Sequence, residues 1–271
     1  MTLLSPAPKL VVPSYIEELY ALVGFAPFPL QRLPLFSDKR FILLAGGEQS
    51  GKSIIASKYL LRRQLEIVET CPTCDFAGPK EAVADHVQKE RHGGLYWLVG
   101  STYSFNQREF GYLKDDYQTL GVLADATKRG DPGYRLLVDG TRIATKSATD
   151  PRSISMSAPN GIVGCEAGQL DIETFERLAG RVAPKRGWLF LEGTVEASLG
   201  WYPQIWTAWQ SGYQDKQSFS MPTWSNLAYY PGGEHDPEIK RLKAESSDAF
   251  FNERIAGRPV PPKGLVFPEF R

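Results

Sequence analysis

Eight consecutive residues, Gly46-Gly47-Glu48-Gln49-Ser50-Gly51-Lys52-Ser53, follow the order GxxxxGK[ST]. Glycines let backbone N–H groups curl around phosphates at a helix N-terminus, where the dipole favours anions. In such a loop Lys52 reaches the β- and γ-phosphates and the Ser53 hydroxyl binds Mg2+. The flanking pattern suits this chemistry. Arg40–Ala45 (RFILLA) is an apolar run that predicts a buried parallel strand, and the residues from Ser53 to Thr70 carry an apolar stripe at helical spacing. ATP binding is the expected consequence.

Hydrolysis needs acids as well: one carboxylate to hold the magnesium shell and a second to polarise the attacking water. The segment GIVGCEAGQLD offers Glu166 at the end of a third apolar strand, Gly161–Cys165. Glu166 is therefore the expected general base. Cys165 occupies the place where an aspartate would pair with it. A neutral thiol is a poor Mg2+ ligand, so Cys165 is expected to be a small core residue. Gly193-Thr194 ends the next strand, where a hydroxyl can sense the γ-phosphate.

A second constellation uses two of the three cysteines and two of the three histidines. Cys71-x2-Cys74-x11-His86-x5-His92 is one residue short, in its middle spacing, of the two-cysteine, two-histidine finger. Thiolates and imidazoles suit tetrahedral Zn2+, and metal binding can contribute roughly 10–16 kcal/mol to ordering so short a segment. A ββα module over residues 71–94 is expected, with a helix over Lys80–Arg91 and with Phe76 and Val83 as its small core. A DNA grip through Lys80, Lys89 and Arg91 and a structural staple or protein contact both stand open, because Glu81, Asp85 and Glu90 offset the basic charge.

The elements that must position these groups alternate along the chain. Leu95–Gly100 and Trp188–Leu191 read as further buried strands, and Asp139-Gly140 signals a hairpin between YRLLV and TRIAT. Helices are expected near Tyr15–Val23, from Asp171 to Val182, from Asp236-Pro237 onward, and from Ser247 to Gly257. Alternating strands and helices imply an α/β fold, a mainly parallel sheet with helices on both faces. Lys plus Arg equals Asp plus Glu at 31 each, so the 271-residue chain has no formal net charge. Any nucleic-acid contact must come from a local patch. No stretch is long and apolar enough for a membrane span, and an odd, low cysteine count argues against a disulfide framework.

Taken in order, Gln31, RFILLAGGEQSGKS, GIVGCEAGQLD and WLFLEGTVEAS resemble the ATPase domain of phage large terminase subunits. The tail, with PTWSNLAYY, DPEIKRLKAESSDAFFNERIAG and PPKGLVFPEF, strengthens the likeness, which runs from about Phe25 to the end. The resemblance implies an additional-strand (RecA-like) P-loop ATPase across residues 1–271 that assembles as a ring on a capsid portal and pumps double-stranded DNA in the host cytoplasm. It implies the portal, the procapsid and a small terminase subunit as partners, and a chain that can be monomeric in isolation. It places Gln31 at the adenine, Lys52 and Ser53 at phosphate and Mg2+, Glu166 at the water, and Gly193-Thr194 in the coupling step. A ring also needs an arginine from a neighbour, for which Arg152 is the candidate and Arg142 the alternative.

Three departures stand out. Glu48 occupies a loop position where the family often has an arginine, Cys165 replaces the aspartate, and the chain stops where a nuclease domain would begin. No nuclease activity is expected in these residues, and the chain reads as part of a longer protein. Other readings are a different nucleic-acid-stimulated ATPase, or a zinc-finger DNA-binding or adaptor protein with a weak or vestigial nucleotide site. A two-lobed helicase would need more chain, and the NKxD motif of a GTPase is missing.

Overall fold

A computed structural model describes residues 14–66, 69–90, 92–127, 133–136, 140–149, 152, 154–195, 200–212 and 214–260. Among these residues one eight-stranded sheet organises the chain. Its strands are β1 (Phe41–Gly46), β2 (Leu95–Gly100), β3 (Leu123–Thr127), β4 (Gly133–Leu136), β5 (Arg142–Ser147), β6 (Gly161–Gly164), β7 (Trp188–Gly193) and β8 (Lys216–Met221). They lie in the order β3-β4-β5-β2-β6-β7-β1-β8. From β5 to β8 every pairing is parallel. The strands β3 and β4 add an antiparallel edge. That pairing of β4 with β5 is the expected hairpin, whose turn at Asp139 lies outside the described residues.

The helices are α1 (Ser14–Leu22), α2 (Pro29–Leu35), α3 (Lys52–Leu65), α4 (Lys80–Glu90), α5 (Gln107–Thr119), α6 (Ile172–Val182), α7 (Trp201–Trp209) and α8 (Pro237–Glu245). Two buried clusters cover the two faces of the sheet. Alternate residues of β1 divide between them: Ile42 and Leu44 pack with Leu60 of α3 and Leu113 of α5, whereas Leu43 and Ala45 pack with Leu178 of α6 and Tyr202 of α7. A strand buried on both faces is largely apolar, which is why β1, β2 and the Trp188–Leu191 part of β7 read as hydrophobic runs.

Several elements differ from the expectation. The helix after the loop ends at Leu65 instead of Thr70, because Glu66 turns extended and leads the chain into the cysteine segment. The Pro-rich lead-in holds a second helix, α2. A proline at its first turn costs nothing there because that N–H has no helical partner. The expected helix from Ser247 begins as a short α-turn and continues as a π-helix over Phe251–Ile255. Asp171 and Asp236 cap α6 and α8 as their sequence context predicts, accepting from Thr174 N and Glu238 N. The closing segment GLVFPEF lies outside the described residues.

Candidate nucleotide site and metal centre

Parallel strands bring their carboxyl ends to one edge, where ligands of α/β sheets bind. The Gly46–Ser53 loop leaves β1 at that edge and enters α3. Gly51 turns it with a φ of 91°, a value that disfavours a side chain. The loop is braced from behind. The Gly47 N–H donates to Met221 O and the Glu48 N–H to Arg254 O, the Thr223 hydroxyl donates to Glu48 O, and the Asn226 amide donates to Gln49 O. Arg254 also lies 3.6 Å from the Glu48 carboxylate, so the acidic residue in the loop has a cationic partner from the C-terminal π-helix. Gln31 is buried against the loop, its amide nitrogen donating to Ser50 O and its oxygen accepting from Phe28 N.

Glu166 follows β6 with left-handed backbone angles of 45° and 51°. A non-glycine residue held there costs on the order of 1–3 kcal/mol and persists only where its surroundings impose it. Glu166 Oε1 lies 3.1 Å from the Lys52 ammonium, and its other oxygen accepts from Thr194 N at 3.4 Å. Lys52, Glu166 and Thr194, expected to act together, are therefore brought together by three parallel strands. Cys165 is fully buried, and burial followed by the nearby Glu109 and Glu192 pushes its thiol well above its ordinary value. A thiol kept neutral in this way matches the expected core role.

Two acids that the motifs did not reveal complete the surroundings. Glu192, in β7, accepts the Glu166 N–H at 3.0 Å and is fully buried. Burial pushes its carboxyl well up, with Glu109 and Glu166 adding to the effect. Glu109, on α5, is 1% exposed and lies against the Ser53 hydroxyl and the Cys165 thiol. Its carboxyl is raised chiefly by burial, against the lowering effect of the Ser53 hydrogen bond. Ligand atoms of Glu109, Cys165 and Glu192 all fall within 4.8 Å of one another. Glu192 carries the same signal as Glu166, an apolar strand running into a glutamate. Glu109 leaves only the buried stripe Glu109, Leu113, Asp116, Tyr117 on its helix.

The arginine candidates separate by strand polarity. Arg142 begins β5, paired with Leu95 at the amino end of β2, so a strand's length (on the order of 20 Å) divides it from the loop. Arg152 follows the carboxyl end of β5 and is exposed.

Cys71, Cys74, His86 and His92 converge with all four ligand atoms within 4.8 Å. Cys71 Sγ lies 3.7 Å from His92 Nδ1, and Cys74 Sγ 3.2 Å from His86 Nε2. Zn–S and Zn–N bonds of roughly 2.3 and 2.0 Å in a tetrahedron put neighbouring ligands about 3.3–3.8 Å apart. The donor set fits zinc. The module departs from the expected ββα form: among the described residues one bridge, Thr70 with Ala77, represents its hairpin. His86 sits on α4, whereas His92 lies just past it. Val83 is buried as expected, but Phe76 is 41% exposed and stacks on His86 at 4.3 Å. The module leads straight into β2, at the sheet edge opposite the loop. It is tied to the body by the Asn160 amide and the Lys185 ammonium, which both donate to Pro72 O. A cleft of about 780 Å3 runs between module and sheet, lined by Arg63, Val83, Tyr96, Lys185 and Trp188 among others. It is remote from the loop chemistry.

Together, the sheet order, the loop and Glu166 define a RecA-like α/β fold with a P-loop. That fold is shared with solved structures of low sequence identity. The chain is similar to the large terminase ATPase domain of Thermus phage P74-26, with a TM-score of 0.66 at 15% identity, covering 90% of this chain and 98% of that one. It is similar to the large terminase of a thermophilic bacteriophage in complex with ADP (TM-score 0.64, 13% identity, 91% of this chain) and to that of bacteriophage HK97 (0.61, 13%, 90%). The chain spans 56% and 55% of those two proteins. No protein-family model and no curated protein matches it. Among the described residues no helix is long and apolar enough to cross a membrane.

Proposed function

We propose that this chain is the ATPase part of a large terminase, hydrolysing ATP to move double-stranded DNA through a portal into a procapsid, alongside a small terminase subunit in the host cytoplasm. The observation that carries the reading is the meeting of Lys52 with Glu166 at 3.1 Å, at the carboxyl edge of a parallel sheet. Lys52 and the loop amides hold the phosphates, and Ser53 faces Mg2+. Glu166, fixed by the Glu192 and Thr194 contacts, takes the proton of the attacking water; before nucleotide arrives it neutralises Lys52. Thr194 links loss of the γ-phosphate to the end of β7, and Gln31, held against Ser50 of the loop, is the residue offered to the adenine.

Arg152 is the residue offered to a neighbouring subunit in a ring. Zn2+ held by Cys71, Cys74, His86 and His92 acts as a structural staple, a role favoured over a DNA grip by the contacts that tie Pro72 to the body. The complexes of the thermophilic phage's terminase with ADP and with ATP-γ-S are consistent with nucleotide binding by this fold. Turnover of ATP with and without double-stranded DNA tests the proposal. DNA-stimulated hydrolysis that disappears in Glu166→Ala supports it. Equal, background-level ATP loss in wild type and variant would favour an adaptor with a vestigial site.

A further inference from the structure

Three carboxyl groups and one ammonium share the space behind the loop. Glu166 is paired with Lys52, and Glu192 gives one oxygen to the Glu166 N–H. Glu109 Oε2 and Glu192 Oε2 are both buried with no hydrogen-bond partner among the described residues. A buried carboxylate oxygen left in this state costs several kcal/mol unless a cation or a proton meets it.

The surrounding structure fixes where the Glu109 side chain points. The Asn106 amide donates to Leu98 O of β2 and Lys146 O of β5, fixing the start of α5 across two strand ends. At Gly100 a Cβ would come within 2.9 Å of the Phe105 side chain, so the chain can fold back there only without one. Two turns along α5, Asp116 forms a buried ion pair with Lys58 of α3. The Ser57 hydroxyl reaches Glu109 O at 3.5 Å. The two helices are thus locked together with Glu109 against Ser53, the one loop side chain that faces the metal in a P-loop.

We propose that Glu109 supplies the acidic group of the Mg2+ site, taking the place that Cys165 leaves without a carboxylate. The inference rests on the nucleotide reading above and adds the identity of the acid. Mg2+ prefers hard oxygen donors, which the thiol is not and Glu109 is. Glu192, whose Oε2 is equally unpartnered, is less suited because its contact is with the Glu166 N–H, whereas Glu109 lies against the Ser53 hydroxyl. The divalent charge would also balance an acid cluster in which Lys52 is already shared.

Calorimetric titration of ADP, in Mg2+ and in EDTA, tests the assignment. Wild type is expected to bind ADP in both and more tightly with Mg2+. Glu109→Gln should keep its EDTA affinity within about twofold and lose at least about tenfold of the Mg2+ gain, an energy of about 1.4 kcal/mol. Adding Cys165→Asp to Glu109→Gln should restore the gain. An undiminished Mg2+ gain in Glu109→Gln would overturn the proposal while leaving nucleotide binding intact. A wild type that binds no ADP in either buffer would overturn it together with the reading it rests on. If the variant fails to fold, crystals of wild type with Mn2+ and ADP decide. An anomalous peak beside Ser53 with Glu109 in its ligand or water shell supports the proposal, and a peak that Glu109 does not approach refutes it.

Discussion

The two edges of the sheet are built on opposite principles. At the carboxyl edge, Lys52, Ser53, Glu109, Glu166, Glu192 and Thr194 come from distant stretches of chain, and the core that packs α3 and α5 on the strands fixes them. At the amino edge, four side chains that could hold a metal come from one local segment with, among the described residues, a single β-bridge and one buried apolar side chain on its helix. The first site is preorganised by burial. The second has little packing of its own, so the proposed zinc ion would supply its order. The contrast teaches where each is vulnerable: Glu109 and Glu192 at the first are buried and constrained, whereas the Cys and His side chains at the second would lose their reason to converge without the proposed metal.

The largest expected effect falls on the carboxyl edge alone. Glu166→Gln should lower ATP turnover by roughly 10²–10⁴-fold while zinc content stays the same. A variant with near-normal turnover would show that the buried acids do not act as a catalytic unit. Next, a chelator or Cys74→Ser should abolish stoichiometric zinc and open residues near 66–92 to protease, while ADP affinity changes by less than about twofold. Loss of roughly 10–16 kcal/mol of ordering energy is more than so small a module can replace. Equal zinc content in wild type and Cys74→Ser would end the claim, and a matching loss of ADP binding would show that the two edges are coupled.

Legibility in sequence follows the same division. The loop and the Cys–His set are contiguous or nearly so, and their residue types are rare, so spacing alone located them. Glu166 was legible because an apolar strand runs into it. Glu109 was not, because its role arises from α5 packing on α3, a long-range event that leaves only the stripe of Glu109, Leu113, Asp116 and Tyr117 behind. The edge strand β8 escaped notice because KQSFSM buries only Ser218 and Met221, so no hydrophobic run marks it. The sheet core was readable for the opposite reason: β1 and β7 are buried on both faces.

A smaller effect concerns pH. Burial raises the folded-state values of Glu109 and Glu192, so the folded protein keeps protons that the unfolded chain releases. Stability of the metal-free protein is then full below the ordinary glutamate range and falls as pH rises through it toward the raised folded values. Glu192→Gln should flatten this slope and raise the unfolding midpoint at pH 8 but not at pH 4, by roughly 2–4 °C per kcal/mol gained. A wild-type midpoint that climbs from pH 5 to pH 8 would contradict the reading that burial holds these two carboxyls raised. Least of all, Asp171→Ala removes the cap of α6 and should cost about 1 kcal/mol without altering either site, as read by thermal unfolding.

The most direct test of the central claim is calorimetry of ADP binding in Mg2+, comparing wild type with Lys52→Ala. One nucleotide bound per wild-type chain, with the affinity lost in the variant, is the predicted result. Wild-type protein that gives no heat, or a variant that binds as tightly, would contradict the loop's assignment as the nucleotide site.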